Sequence, residues 1–257
     1  MNNELLSEIT EKLKILYSHF FPEVELAPYL VTFSDDLNYT HGEIRPDIIQ
    51  ELGRKKSNEN GRIVLPYSTN EPIHILIKNN NIEGSIQWYE TFAHELTHCI
   101  DYYQMGKKEK LESYKPLERI GKYSMFLFWT EYNARKKGQI FFKKMCEEAG
   151  CFTNTNEQVD YIIDTEWPTY LEYYRKEFIN SDGLDQIYET MQLIGRYSAW
   201  CDLFPDAFNY VRFSVIFKGT KWMINLFSFL REYDSLDTIY NEFNEMEMII
   251  RENWQLG

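Results

Sequence analysis

Residues 91–103 read TFAHELTHCIDYY. Within them His94 and His98 stand four apart, and Glu95 directly follows the first. Four residues is little more than one helical turn, so on a helix the two imidazoles share a face. Such a pair can hold a zinc ion at about 2.0–2.1 Å from each nitrogen without distorting the helix. Glu95, one residue round, can reach a water on that metal without being a ligand. Zinc brings the pKa of such a water towards neutrality, and a carboxylate there suits a general base. The plainer alternative is a chance pair of helix histidines, because short motifs recur by accident. Three features weigh against chance. Strand-like runs precede the segment, and Ala93 is small where a neighbouring helix must approach. Asp101, three residues beyond His98, is placed to orient a ligating imidazole.

Two histidines do not complete a catalytic zinc site, which takes three protein ligands and keeps one position open. The chain has five histidines, His19, His41, His74, His94 and His98, and none follows residue 98. A third histidine downstream is therefore excluded, and with it the HExxHxxGxxH arrangement. His74, in IHILIK, is the nearest upstream candidate, but alternation could equally turn it to solvent. Among the downstream acids, Glu112 and Glu118 fall in a highly charged stretch that reads as a solvated loop. Glu147 and Glu148 stand at an expected helix end. Glu131 differs, being a lone acid amid Phe126, Phe128 and Trp129. A buried carboxylate needs a cation or a metal. Arg135, four residues on, offers the alternative of an intrahelical ion pair. Because zinc still lacks its third ligand, Glu131 is favoured for that role, and the small Ala134 and Gly138 on its face would permit close helix approach.

HELTH followed by EYNA at 131–134 resembles the gluzincin branch of the zincin metallopeptidases. The resemblance spans residues 62–145 or so, and implies His94, His98 and Glu131 as ligands, Glu95 as catalytic base and Zn2+ as cofactor. It further implies a peptide or protein substrate, bound in extended form along the strand before the active helix, here IHILIK. Two departures stand out. Many gluzincins carry an acid where Arg135 stands, and many steady the intermediate with a downstream histidine that this chain lacks. Tyr123, Tyr197 or Arg196 would have to serve instead. The expected function is that of a zinc-dependent endopeptidase. The alternative is a zincin-like binding or regulatory protein with an intact zinc site and little peptidase activity. A purely structural zinc site fits less well, since it would have no use for Glu95.

These residues need elements to hold them. YLVTFS (29–34) reads as extended, and DDLNYTHGE after it has turn composition. PDIIQELGR (46–54) reads as a short helix, and KKSNENG (55–61) as a polar turn. RIVLP (62–66) and IHILIK (73–78) read as adjacent strands, antiparallel because six linking residues are too few for a crossover. NNNIEG then leads into the motif helix, in which Trp88, Phe92, Leu96, Cys99 and Tyr103 form an apolar stripe. Helices are expected over 85–105, 117–148, 157–178, 184–203, 205–230 and 233–254, with Pro168 and Pro205 at kinks or boundaries. The N-terminus reads as an amphipathic helix with Leu5, Ile9, Leu13 and Leu16 inward, ending before Pro22, and not as a signal peptide.

The expected fold is therefore α+β and mostly helical, a small zincin-like N-terminal sheet with the active-site helix followed by a larger helical lobe. Residues 1–150 would form the metallopeptidase core, and 151–257 a helical lobe packed against it as one continuous unit. With 257 residues, 44% of them hydrophobic, the chain can bury a substantial core. A net charge of −13 argues against nucleic acid and against an anionic membrane surface. No apolar run is long enough to span a bilayer. The four cysteines, Cys99, Cys146, Cys151 and Cys201, form no CxxC pair, so free thiols and a cytoplasmic location are expected.

Overall fold

β-Branched, nearly continuous apolar sequence makes Ile73–Lys78 a strand that can be buried on both faces. It is the centre of a three-stranded mixed sheet in the computed structural model, which describes residues 3–48, 59–79, 88–115, 117, 120–152 and 155–252. With β1 (Tyr29–Ser34) and β2 (Gly61–Val64), this strand, β3, gives the order β1-β3-β2. β2 and β3 are antiparallel, pairing Gly61 with Ile77 and Val64 with His74, as the short link requires. β1 and β3 are parallel, from Tyr29 opposite Ile73 to Ser34 opposite Lys78.

The chain divides into two units, Met1–Leu117 and Glu118–Gly257. In the first, α1 (Asn3–Phe20) ends before Pro22 as expected, but its buried face is Leu6, Thr10, Leu13 and Tyr17. Ile9 and Leu16 are only half-buried, so the face is turned by about one residue from the expected one. Tyr17 sets this rotation: its hydroxyl shares a 2.7 Å hydrogen bond with Thr97 Oγ1. The segment with turn composition after β1 is instead helix α2 (Leu37–Ile44). Asp36 is its N-cap, and its carboxylate accepts from the Asn38 and Tyr39 amides at 3.1 and 3.2 Å. Leu37 and Ile44 of α2 pack with Val64 and Leu76 on one sheet face. Helix α3 (Trp88–Lys108) packs on the sheet at β2 and β3. Its apolar stripe is buried at Trp88, Phe92, Leu96 and Cys99, while Tyr103 is half-buried.

In the second unit, α4 (Tyr123–Glu148) starts later than the expected helix at 117, because a turn with Tyr123 N–H donating to Ile120 C=O precedes it. The stretch expected as one helix over 157–178 comprises α5 (Asn156–Tyr161), a π-helical turn (Ile162–Glu166) and α6 (Trp167–Asn180). Pro168 has no N–H to donate, and the wider turn absorbs that lost bond. Helix α7 (Gly183–Leu203) ends before Pro205 and packs along α4. A Cβ on Gly195 would lie 2.6 Å from Tyr132 O, so glycine there sets the α4–α7 spacing. The expected helix over 205–230 is two helices, α8 (Tyr210–Ile216) and α9 (Lys221–Glu232), broken at Phe217–Thr220 around Gly219. Helix α10 (Leu236–Ile239) and, after a 3₁₀ turn, α11 (Phe243–Arg251) complete the described chain. Tyr197, Trp200, Phe208, Phe213 and Phe227 form the aromatic centre of this unit. Among the described residues no helix is long and apolar enough to cross a membrane.

Pro46–Ile48 form one 3₁₀ turn. The rest of the expected 46–54 helix lies outside the described residues, as do most of the expected turns at 55–61 and 79–84, helix positions 85–87, the Leu5 side chain and Glu118.

Candidate metal centre

α3 carries the histidine pair as its spacing requires. The imidazole rings stand 4.6 Å apart between centroids and nearly perpendicular, at 83°. Their Nε2 atoms are 3.1 Å apart. Two ligands about 2.05 Å from a tetrahedral ion are separated by about 3.3 Å, so this pair already has close to the right bite. The helix is held firmly beneath it: Thr97 donates to Ala93 C=O at 2.7 Å and is tied to Tyr17, while Phe92, Leu96 and Cys99 are fully buried. Asp101 is buried as well, and its charge contributes to raising the Tyr17 hydroxyl and Cys99 thiol, each of which burial raises first.

Glu95 is 7% exposed and lies against the edge strand. Residues paired across a sheet share a face, so Gly61, opposite Ile77, points to the side that α3 covers. A Cβ at position 61 would lie 2.8 Å from Glu95 Cγ, 3.0 Å from Glu95 Oε1 and 2.6 Å from Thr91 Cγ2. Only a residue with no side chain lets β2 come so close to that carboxylate. Gly61 escaped the sequence reading; its one signal is a glycine opening a strand-like run.

Glu131, on α4, is 3% exposed. Next to it Arg135 donates to Gln192 Oε1 at 2.8 Å, and one turn further on Arg196 donates to Gln139 at 2.7 Å. Burial, then the charges of Glu177 and Glu131, raises the Glu189 carboxyl on α7. His94, His98 and Glu131 each offer a ligand atom, and these atoms lie within 4.8 Å of one another. Two imidazole nitrogens and a carboxylate oxygen are a donor set that zinc accepts.

The other candidates fall elsewhere. His74 alternates with Ile73 and Ile75, so it shares the α2-side face with Val64 and Leu76 and points away from α3. Glu147 and Glu148 are about 24 Å along α4 from Glu131, by the helical rise, and are exposed. Glu112 is exposed. Tyr197 is fully buried in the aromatic centre and donates to Asn209 C=O at 3.1 Å. Arg196 stacks on Tyr170 at 4.2 Å. Tyr123 is half-buried at the start of α4, with its ring stacked on Phe126. One expectation is overturned. IHILIK cannot receive an extended substrate, because β1 and β2 already occupy both of its edges.

Comparison with known proteins adds no relative: no family model, no curated protein and no solved structure matches this chain.

Proposed function

We propose that the chain is a zinc-dependent endopeptidase of gluzincin type. The observation that carries this reading is the meeting of His94, His98 and Glu131 within 4.8 Å, with Glu95 on the same helix as both histidines. His94 and His98, through Nε2, and one oxygen of Glu131 would hold the ion. When bound, zinc supplies Lewis-acid chemistry that brings a water's pKa towards neutrality and polarises a carbonyl. The Glu95 carboxylate would take the proton of a water that adds to the scissile carbonyl carbon. It would then deliver the proton to the departing nitrogen as the C–N bond breaks. Gly61 fixes the base by letting β2 lie against it. An extended substrate would add to the outer edge of β2, the strand next to Glu95, in place of the enclosed β3.

Purified protein should carry about one zinc per chain and cleave members of a random peptide library, read by mass spectrometry. Glu95→Gln should keep the metal and lose turnover, because it removes the base and not a ligand. A wild-type protein that binds zinc stoichiometrically yet cleaves nothing would favour a binding role for the site. Equal cleavage by Glu95→Gln would reject the mechanism.

A further inference from the structure

The C-terminus of α4 places two thiols across one helix cap. Gly150 has φ +70°, the left-handed conformation that ends a helix, and two hydrogen bonds define the cap. Cys151 N–H donates to Cys146 C=O at 2.8 Å, and Gly150 N–H donates to Glu147 C=O at 2.9 Å. This is the Schellman arrangement, and Cys146 and Cys151 occupy the two positions whose side chains characteristically meet. The bond length also bounds their separation. From Cys146 Cα through its carbonyl oxygen to Cys151 N and Cα, standard geometry allows at most about 6.7 Å. Disulfides form over Cα separations of about 4.4–6.8 Å. Cys151 Sγ turns back over the cap, towards Ala149 C=O at 3.8 Å. Both thiols are free; Cys146 is buried and Cys151 exposed.

We propose that Cys146 and Cys151 form a reversible intramolecular disulfide with a low-molecular-weight disulfide of the glutathione class as oxidant. Exposed Cys151 meets the reagent first. Its thiolate attacks one sulfur, the reagent S–S bond breaks, and one small thiolate leaves and takes up a proton. Cys146, deprotonated in turn, attacks Cys151 Sγ and expels the second small thiol. Two protein thiols are oxidised and one reagent disulfide is reduced to two thiols. Burial raises the Cys146 thiol and the neighbouring Lys143 ammonium partly offsets this, which suits a resolving cysteine rather than the first attacker. The bridge closes a very short loop, and the bound on the Cα separation lies within the range that disulfides span.

The test is oxidation of the full-length chain by glutathione disulfide, followed by non-reducing peptide mapping. The expected product in the wild type is a Cys146–Cys151 linkage that is fully lost on reduction. Cys146→Ser should instead accumulate a stable mixed disulfide on Cys151. Cys151→Ser should lose the linkage and leave Cys146 largely unmodified. A persistent mixed disulfide on Cys151 of the wild type, or a linkage to Cys99 or Cys201, would overturn the proposal. The wild-type result alone decides it even if a variant fails to fold.

Discussion

Replacing Gly61 by alanine tests how Glu95 is held. The added methyl would sit 2.6 Å from Thr91 Cγ2 and 2.8 Å from Glu95 Cγ. Carbon atoms in contact prefer about 3.5–4.0 Å, so the deficit is on the order of 1 Å at both. Thr91 is β-branched and stiff within α3, so it yields little. Either β2 lifts from the helix or Glu95 swings aside. Overpacking of this kind costs about 1–3 kcal/mol, which for a chain this size lowers Tm by roughly 2–12 °C. On the proposed mechanism, misplacing Glu95 by about 1 Å costs on the order of 100-fold in kcat. None of the three closest contacts is with His94 or His98, so zinc content should stay at the wild-type level. Three measurements on one preparation separate these effects: thermal unfolding, bound zinc, and kcat on a peptide that the wild type cleaves. Unchanged Tm together with unchanged kcat would refute the close approach of β2 to Glu95. Loss of zinc would show that the methyl disturbs the histidines and not the proposed base alone.

Glu131→Gln should weaken zinc binding by more than about 100-fold, beyond the effect of losing a supporting hydrogen bond, with the circular dichroism spectrum unchanged. Competition with a chromophoric chelator measures this, and an unaltered affinity would remove Glu131 from the ligand set. His41 should make stability pH-dependent: burial, then Arg62 and Arg45, lowers its pKa from the ordinary 6.5 to about 4. The unfolded chain therefore binds the proton first, and stability falls as pH drops from 6.5 to 4, by on the order of 1 kcal/mol after allowance for solvent screening. Urea titrations across that window should show a flatter slope for His41→Asn, and an equal slope would place the effect elsewhere.

What was legible in the sequence was local. The four-residue histidine spacing, the lone acid at Glu131 and the six residues between RIVLP and IHILIK are each read within a few turns of chain. The parallel pairing of β1 with β3 is not, because nothing in YLVTFS names its partner. That missing pairing is why IHILIK could be taken for a substrate-binding strand, and why the facing of His74 stayed open. Helix α2 was missed because Asp36, an N-cap, belongs to the same residue types that make turns. The break between α8 and α9 has its signal in Gly219 and Thr220, outweighed by the apolar residues on either side. The role of Gly61 could not be read at all, since a glycine records nothing about what lies against it.

The mixed sheet has a consequence for the order in which chain entropy is lost. β2 and β3 meet after a separation of ten positions, from Val64 to His74. β1 reaches β3 only after 44 positions, from Tyr29 to Ile73. On loop length alone the second closure costs roughly 1 kcal/mol more than the first. The hairpin that brings Gly61 alongside Ile77 is thus the cheaper contact. β1 and the helices flanking it in sequence must recover the larger cost through burial, as Tyr17 and Leu37 do. The strand that lies against the proposed base is therefore placed by nearby sequence, and the far edge of the sheet by distant sequence.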